Sequence, residues 1–198
     1  IPTLGRPEGL KRCLDSIEKL NYPKELIETI VVEDEPRQGV AKRLKECVGR
    51  STGDWIVYAS NDVEFLEDSL IQCFRDIQAD NSLILVAFNT GDILPDEGNI
   101  CEHFAFKKSA LPLVGDIFDT DFHHVGVDNL LWAKCKRIGA FRSTNAKLTH
   151  HHFETMDKVY ELGWSHVDED RALLKKKLTE LEHSSIPTLV KPYDPEDN

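Results

Sequence analysis

Apolar positions in the first half of the chain switch between two spacings. After Pro7, Leu10, Leu14 and Ile17 recur at helical intervals, with Cys13 and Leu20 beside them, until Asn21, Tyr22 and Pro23 break the pattern. Pro7 suits the first turn of that helix, where its missing N–H leaves no bond unmade. Ile30, Val31 and Val32 then form a β-branched run ending in Glu33 and Asp34, the mark of a buried parallel strand. Val40, Leu44 and Val48 predict a second helix that closes near Gly49. Trp55, Ile56, Val57 and Tyr58 predict a strand running into Ser60, Asn61 and Asp62. Leu70, Ile71, Phe74 and Ile77 predict a third helix, and Leu83 to Phe88 another apolar strand.

Strand and helix thus alternate through roughly the first 90 residues, which predicts an α/β fold with an open parallel sheet and helices on both faces. Ligands on such sheets bind beyond the carboxyl ends of the strands. Two acidic clusters, Glu33–Asp34 and Ser60 to Glu64, fall at such ends, one strand–helix–strand unit apart. From Gly91 to Val125 the pattern is irregular and reads as loops with a short strand at His103–Phe106. Asp128 to Ile138 predicts a helix stopped by Gly139. Phe141 to Leu148 predicts a last strand that leads to His150, His151 and His152. Ser165 to Glu182 predicts a charged amphipathic helix with Ser165 and Asp168 as a capping pair. Residues 184–198 read as a polar tail. Ile1 and Pro2 read as the end of a strand whose beginning is missing, which would shorten a central strand.

Composition narrows the partners. Of the 198 residues, 40% are hydrophobic and 30% charged, which suits a globular core and excludes a disordered chain. A net charge of −11 repels phosphate backbones and argues against nucleic acid as a broad partner. A divalent cation held by carboxylates would reconcile that charge with a phosphate-bearing ligand. Cys13, Cys47, Cys73, Cys101 and Cys135 are scattered without a CxxC, as expected of reduced, buried thiols in a cytoplasmic protein. No apolar run approaches the ~20 residues of a membrane span, and no signal peptide is visible.

Four groups carry candidate chemistry, and each has a plain structural alternative. Asp62 and Glu64 flank Val63 after a buried strand and offer hard oxygen ligands to Mg²⁺ or Mn²⁺; taken alone, they read as a solvated strand-end loop. His150, His151 and His152 offer imidazole ligands or form a surface loop. Asp128, at a predicted helix start, caps that helix or serves as a general base. Glu33 and Asp34 end a strand where a nucleotide base or ribose is bound, or where a loop is simply solvated.

The segments "IPTLGRPEGLKRCLDSI", "ETIVVEDEP" and "YASNDVEFLEDSL", followed by "FHHVGVDNLLWAKCKRIGAF" and "AKLTHHH", resemble glycosyltransferase family 2 over most of residues 1–152. The resemblance implies the GT-A fold, a Rossmann-like open mixed, mostly parallel sheet flanked by helices. It divides residues 1–183 into a nucleotide-sugar half (1–90), an acceptor half (91–152) and a C-terminal helical extension (153–183). It implies inverting transfer from a nucleoside-diphosphate sugar, UDP by default, to a carbohydrate, lipid-linked or protein acceptor, assisted by Mn²⁺ or Mg²⁺. By resemblance Pro2, Thr3 and Arg6 lie by the nucleotide. Asp34, with Glu33 beside it, reads the uracil or ribose, and Asn61 and Asp62 lie at the diphosphate. Asp62, Glu64 and His150 or His152 hold the metal, and Asp128 is the base. The sequence departs from the family at Ser60, where the first Asp of the DxD motif belongs, and at Val127, where the Glu of a Glu-Asp pair belongs. A nucleotidyltransferase and a non-catalytic nucleotide-sugar or carbohydrate-binding module are the alternatives.

Overall fold

The computed structural model describes residues 1–91, 101–151 and 158–184, except the side chain of residue 160. Helix α1 (Pro7–Glu18) begins at the proline as expected, and α2 (Val40–Arg50) and α3 (Ser69–Ala79) follow the periodic stretches. Strand β1 (Pro2–Thr3) pairs in parallel with β2 (Val32–Glu33) as a short two-stranded sheet. The main sheet has five strands in the order β3-β6-β5-β7-β4, namely β3 (Trp55–Tyr58), β4 (Val63–Phe65), β5 (Leu85–Asn89), β6 (Phe104–Lys107) and β7 (Phe141–His150).

The sheet is mixed. β5 runs parallel to β7, but β6 pairs antiparallel with both β3 and β5, and β4 pairs antiparallel with β7. Hence β3, β5 and β7 share one direction, and β6 is inserted against them between two strands that the alternating pattern places side by side. This has a consequence for chemistry. The amino end of an antiparallel strand lies at the carboxyl ends of its neighbours, so residues just before Phe104 reach the edge where ligands bind such sheets.

Alternation along the strands feeds two cores. Leu85, Ala87, Phe104 and Phe106 face α2 and helix α4 (Val127–Ile138), together with Leu44, Leu131 and Ile138. Val86, Phe88 and Ala105 face the other way, against Cys13 of α1 and Leu70, Cys73 and Ile77 of α3. Phe104 and Phe106 are fully buried, and each such ring contributes about 1.5–3 kcal/mol. All five cysteines are free and buried, as expected of reduced thiols.

Some elements were hidden in the sequence. β4 begins in the acidic stretch read as a loop, and a short helix α5 (Lys158–Trp164) precedes α6 (Val167–Glu182); a single helical turn at Leu111–Val114 also lies in the stretch read as loops. The expected Ser165–Asp168 capping pair is not formed. The Ser165 hydroxyl instead donates 2.7 Å back to the Leu162 carbonyl at the end of α5, and α6 starts at Val167. Residues 185–198 of the expected tail lie outside the described residues. Among those described, no helix is long and apolar enough to cross a membrane.

Candidate active site

The carboxyl ends of β3 and β7 meet the amino end of β6 around His150. Val63 sits opposite His150 in the β4–β7 register, and the His151 amide donates 2.8 Å to the Asp62 carbonyl. His150 therefore lies beside Asp62, with its Nε2 3.7 Å from Asp62 Oδ1. On the other side of the ring, Nδ1 lies 3.5 Å from Glu102 Oε2. Burial alone would lower the imidazole pKa, but the two carboxylates outweigh it and lift it to about 10. The same pairing acts on Asp62. Burial opposes ionisation, yet bonds from His150 and the Ser60 hydroxyl hold its carboxyl well below the usual range. Ser60 thus orients Asp62 where the family would place a second carboxylate. Arg6, from the turn before α1, brings Nη1 to 3.7 Å from Asp62 Oδ2.

Glu102 and His103 are the residues that sequence reasoning missed. They precede β6, and the β3–β6 register, with Tyr58 opposite Phe104, carries them past the end of β3. His103 is 3% exposed, its ring stacks on Tyr58 at 5.8 Å, and it meets His150 edge-on at 4.9 Å. Burial pushes its pKa down to about 4, so the ring is neutral. Neither ring nitrogen has a hydrogen-bond partner among the described residues. One ligand atom each from Glu102, His103 and His150 lies within 4.8 Å of the others. The available sequence signal was a pair of adjacent ligand-type residues at the start of the strand read at 103–106.

Asp128 stands in the first turn of α4. The helix starts after Gly126, whose φ of +87° favours glycine and whose added Cβ would lie 3.2 Å from Leu174. The Asp128 carboxylate accepts 3.0 Å from the Asn129 amide. Burial raises its pKa to about 6 against that bond, and the charge of Glu102 adds to the rise. Asp62, Asp128 and Glu102 all act on Tyr58, whose own pKa is raised by burial and then by these three charges. Asp128 also lies near Glu102, since Cys101 Sγ is 3.6 Å from the Asp128 carbonyl oxygen. Val127 is 5% exposed and packs into the core, so the apolar residue in place of the family's Glu faces inward.

The loop leading to α4 is held from the C-terminal helix. Asp170 of α6 is 1% exposed, and its carboxylate accepts from the His123, His124 and Val125 amides at 2.9, 2.8 and 2.8 Å. Sequence alone gives no sign of this, because the contact spans some 45 residues.

The remaining expected residues are placed as follows. Thr3 and Asn61 are buried against each other, with Asn61 Nδ2 donating 2.8 Å to Thr3 Oγ1; Pro2 is buried in β1. This bond ties β1 to the Asp62 loop. Asp34 accepts from the Gln38 and Gly39 amides at 2.7 and 3.0 Å and from Arg43 Nε at 2.8 Å. Burial opposes its ionisation, but these three donors outweigh it and lower its pKa. Its carboxylate thus ties the loop that leads into α2 to Arg43 of that helix. Glu33 is exposed, and its Oε1 accepts a long 3.4 Å bond from the Gly5 amide. Glu64 pairs with His151 at 3.2 Å and stands outside the three-residue group that contains His150. His152 lies outside the described residues.

An apolar cavity of about 400 Å³ opens elsewhere, lined by Ile1, Tyr22, Ile30, Trp55, Val57 and Phe74 among others. Asp62, Glu102, Asp128 and His150 are not in its lining, so the chemistry lies with the polar cluster rather than this cavity.

No protein-family model matches the chain, and no curated protein matches it by sequence. Solved structures match its fold. A mannosyltransferase, PcManGT from Pyrobaculum calidifontis in complex with GDP-Man and Mn²⁺, aligns at a TM-score of 0.66 with 18% identity over 94% of this chain. S. aureus TarS residues 1–349 in complex with UDP-GlcNAc aligns at 0.56 with 13% identity over 76% of this chain. The chain spans 64% and 54% of the length of these two structures. It therefore has the GT-A-like fold expected from its sequence, a mixed five-stranded sheet flanked by helices.

Proposed function

We propose that this protein is a glycosyltransferase that moves a sugar from a nucleoside-diphosphate sugar to an acceptor hydroxyl in one inverting step. The observation that carries the reading is the placement of His150 between the Asp62 and Glu102 carboxylates, beyond the carboxyl end of β3 in a GT-A-like sheet. Two structures that share the fold were solved with GDP-Man and with UDP-GlcNAc, which supports a nucleotide-sugar donor; UDP is our choice of nucleotide.

Asp128 is the base. Its carboxyl, raised to about 6, is mostly ionised at neutral pH and still basic enough to take the proton of an attacking hydroxyl. It is half-buried, which leaves it open to an acceptor hydroxyl. Arg6, next to Asp62, faces the negative charge that grows on the departing diphosphate. Pro2, Thr3 and Asn61 fix the loop that carries Asp62, and Asp34 with Glu33 lies toward the nucleoside. The donor set beside Asp62, a carboxylate oxygen next to an imidazole nitrogen, fits a divalent Mn²⁺ or Mg²⁺. Asp62 and His150 would hold that ion, with Glu64 and His152 as further candidates from the sequence, and it would supply positive charge at the diphosphate.

The test is nucleoside diphosphate release from a panel of nucleotide-sugars, with Mn²⁺, Mg²⁺ or EDTA, with and without sugar acceptors. Metal-dependent release from one donor is the expected result. Donor binding without release under any condition would instead identify a binding module. Turnover of a sugar 1-phosphate with a nucleoside triphosphate would identify a nucleotidyltransferase.

A further inference from the structure

We infer that Glu102 and His103 complete the cation site at His150 and make it a nitrogen-containing site that prefers transition-metal ions to Mg²⁺. This rests on the glycosyltransferase reading only for the ion's purpose; the site itself follows from three observations. The first is His103. Water satisfies both imidazole nitrogens in an unfolded chain, and each buried polar atom left unpaired costs about 1–3 kcal/mol. A ring that is 3% exposed with two unpartnered nitrogens is explained if one of them waits for a ligand. The second is convergence. Glu102, His103 and His150 each place a ligand atom within 4.8 Å of the other two, and two of the three are imidazoles. The third is topology. The antiparallel insertion of β6 brings Glu102 and His103 to the same sheet edge as Asp62, and Phe88 fixes the site by donating 2.9 Å to the His103 carbonyl.

This arrangement compensates for a missing ligand. Ser60 stands where a carboxylate ligand would be expected, and its hydroxyl is bonded to Asp62. Glu102 and His103 supply a replacement oxygen and an added nitrogen from another strand. Mg²⁺ holds its waters and favours an oxygen shell, whereas imidazole favours the first-row transition metals. The expected affinity order is therefore Mg²⁺ below Mn²⁺ below Co²⁺.

The experiment uses the full chain stripped with EDTA and no nucleotide-sugar. Mn²⁺ binding is followed by loss of the free-ion EPR signal, and Mg²⁺ is added in tenfold excess as competitor. The wild type should bind one Mn²⁺ that this excess leaves in place, and Co²⁺ should displace it. Glu102→Gln and His103→Leu should each weaken Mn²⁺ binding at least tenfold, while Glu18→Gln, at an exposed position of α1, leaves it unchanged. Glu102→Gln keeps the test sharp if His103→Leu disturbs the Tyr58 stack. Wild-type affinity in Glu102→Gln, or displacement of Mn²⁺ by Mg²⁺, would overturn the inference. Because no donor is present, loss of Mn²⁺ binding in the variants supports this site even if no nucleotide-sugar turns over. Conversely, metal-dependent turnover with unaltered Mn²⁺ binding in both variants would sink this site and leave the transferase reading standing.

Discussion

At the scale of single residues, Asp128 sets function against stability. Burial raises its carboxyl from 3.8 to about 6, so the folded protein binds this proton more tightly than the unfolded chain does. The resulting stabilisation is complete below about 3.8 and is lost as the pH rises through about 6. Activity has the opposite slope, since a base must be ionised, and should rise through the same interval. Asp128→Asn should lower kcat by about 10²–10⁴ and leave donor affinity nearly unchanged. In metal-free protein at pH 7.5, the same change should raise stability by about 1–3 kcal/mol, because it removes a buried charge while keeping an acceptor for the Asn129 amide. Steady-state kinetics and urea denaturation on one preparation test both. Wild-type turnover in the variant would remove Asp128 from the mechanism.

At the scale of elements, helix α1 is positioned by contact with the site's own backbone. A Cβ added at Gly9 would lie 2.7 Å from the Asn61 carbonyl oxygen, and that oxygen belongs to the loop carrying Asp62. Gly→Ala in a helix ordinarily stabilises by about 0.5–1 kcal/mol. At Gly9 the clash with backbone should reverse the sign, costing about 1–3 kcal/mol. Gly49 of α2 is the control, since its Cβ would meet nothing within 4 Å and Gly49→Ala should be stabilising. Denaturation midpoints of the two variants decide the matter, and equal shifts of the same sign would refute the close approach. The helices themselves were readable because their apolar stripes repeat within a few residues. The insertion of β6 between β3 and β5 was not, because strand neighbours are chosen by contacts some 50 residues apart. Glu102 and His103 were overlooked for that reason. Asp62, Asp128 and His150 were singled out through short motifs, whereas the hold of Asp34 on the loop before α2 depends on amides four and five residues further on.

At the scale of the whole molecule, α6 packs on the domain and helps build the candidate site. It contacts α4 through Leu174 and Leu178 in the first core, and its Lys177 reaches Asp119 at 2.6 Å and Asp121 at 2.7 Å. Asp170 is the decisive contact. Asp170→Asn would turn donor atoms toward amides that now share a carboxylate, and should cost about 2–4 kcal/mol. Hydrogen exchange should quicken first at residues 123–125, ahead of the sheet. Uniform acceleration across the chain would mean that the carboxylate serves global stability alone.

The three amides held by Asp170 also set an order in time. During synthesis the sheet strands leave the ribosome first, and Asp128 emerges more than 40 residues before the carboxylate that fastens its loop. Until Asp170 has emerged, the nascent chain has its metal-site residues but a base loop with no anchor. Helix α6 is thus the element that fastens this loop, and a chain stalled before it would present the proposed cation site without a settled Asp128.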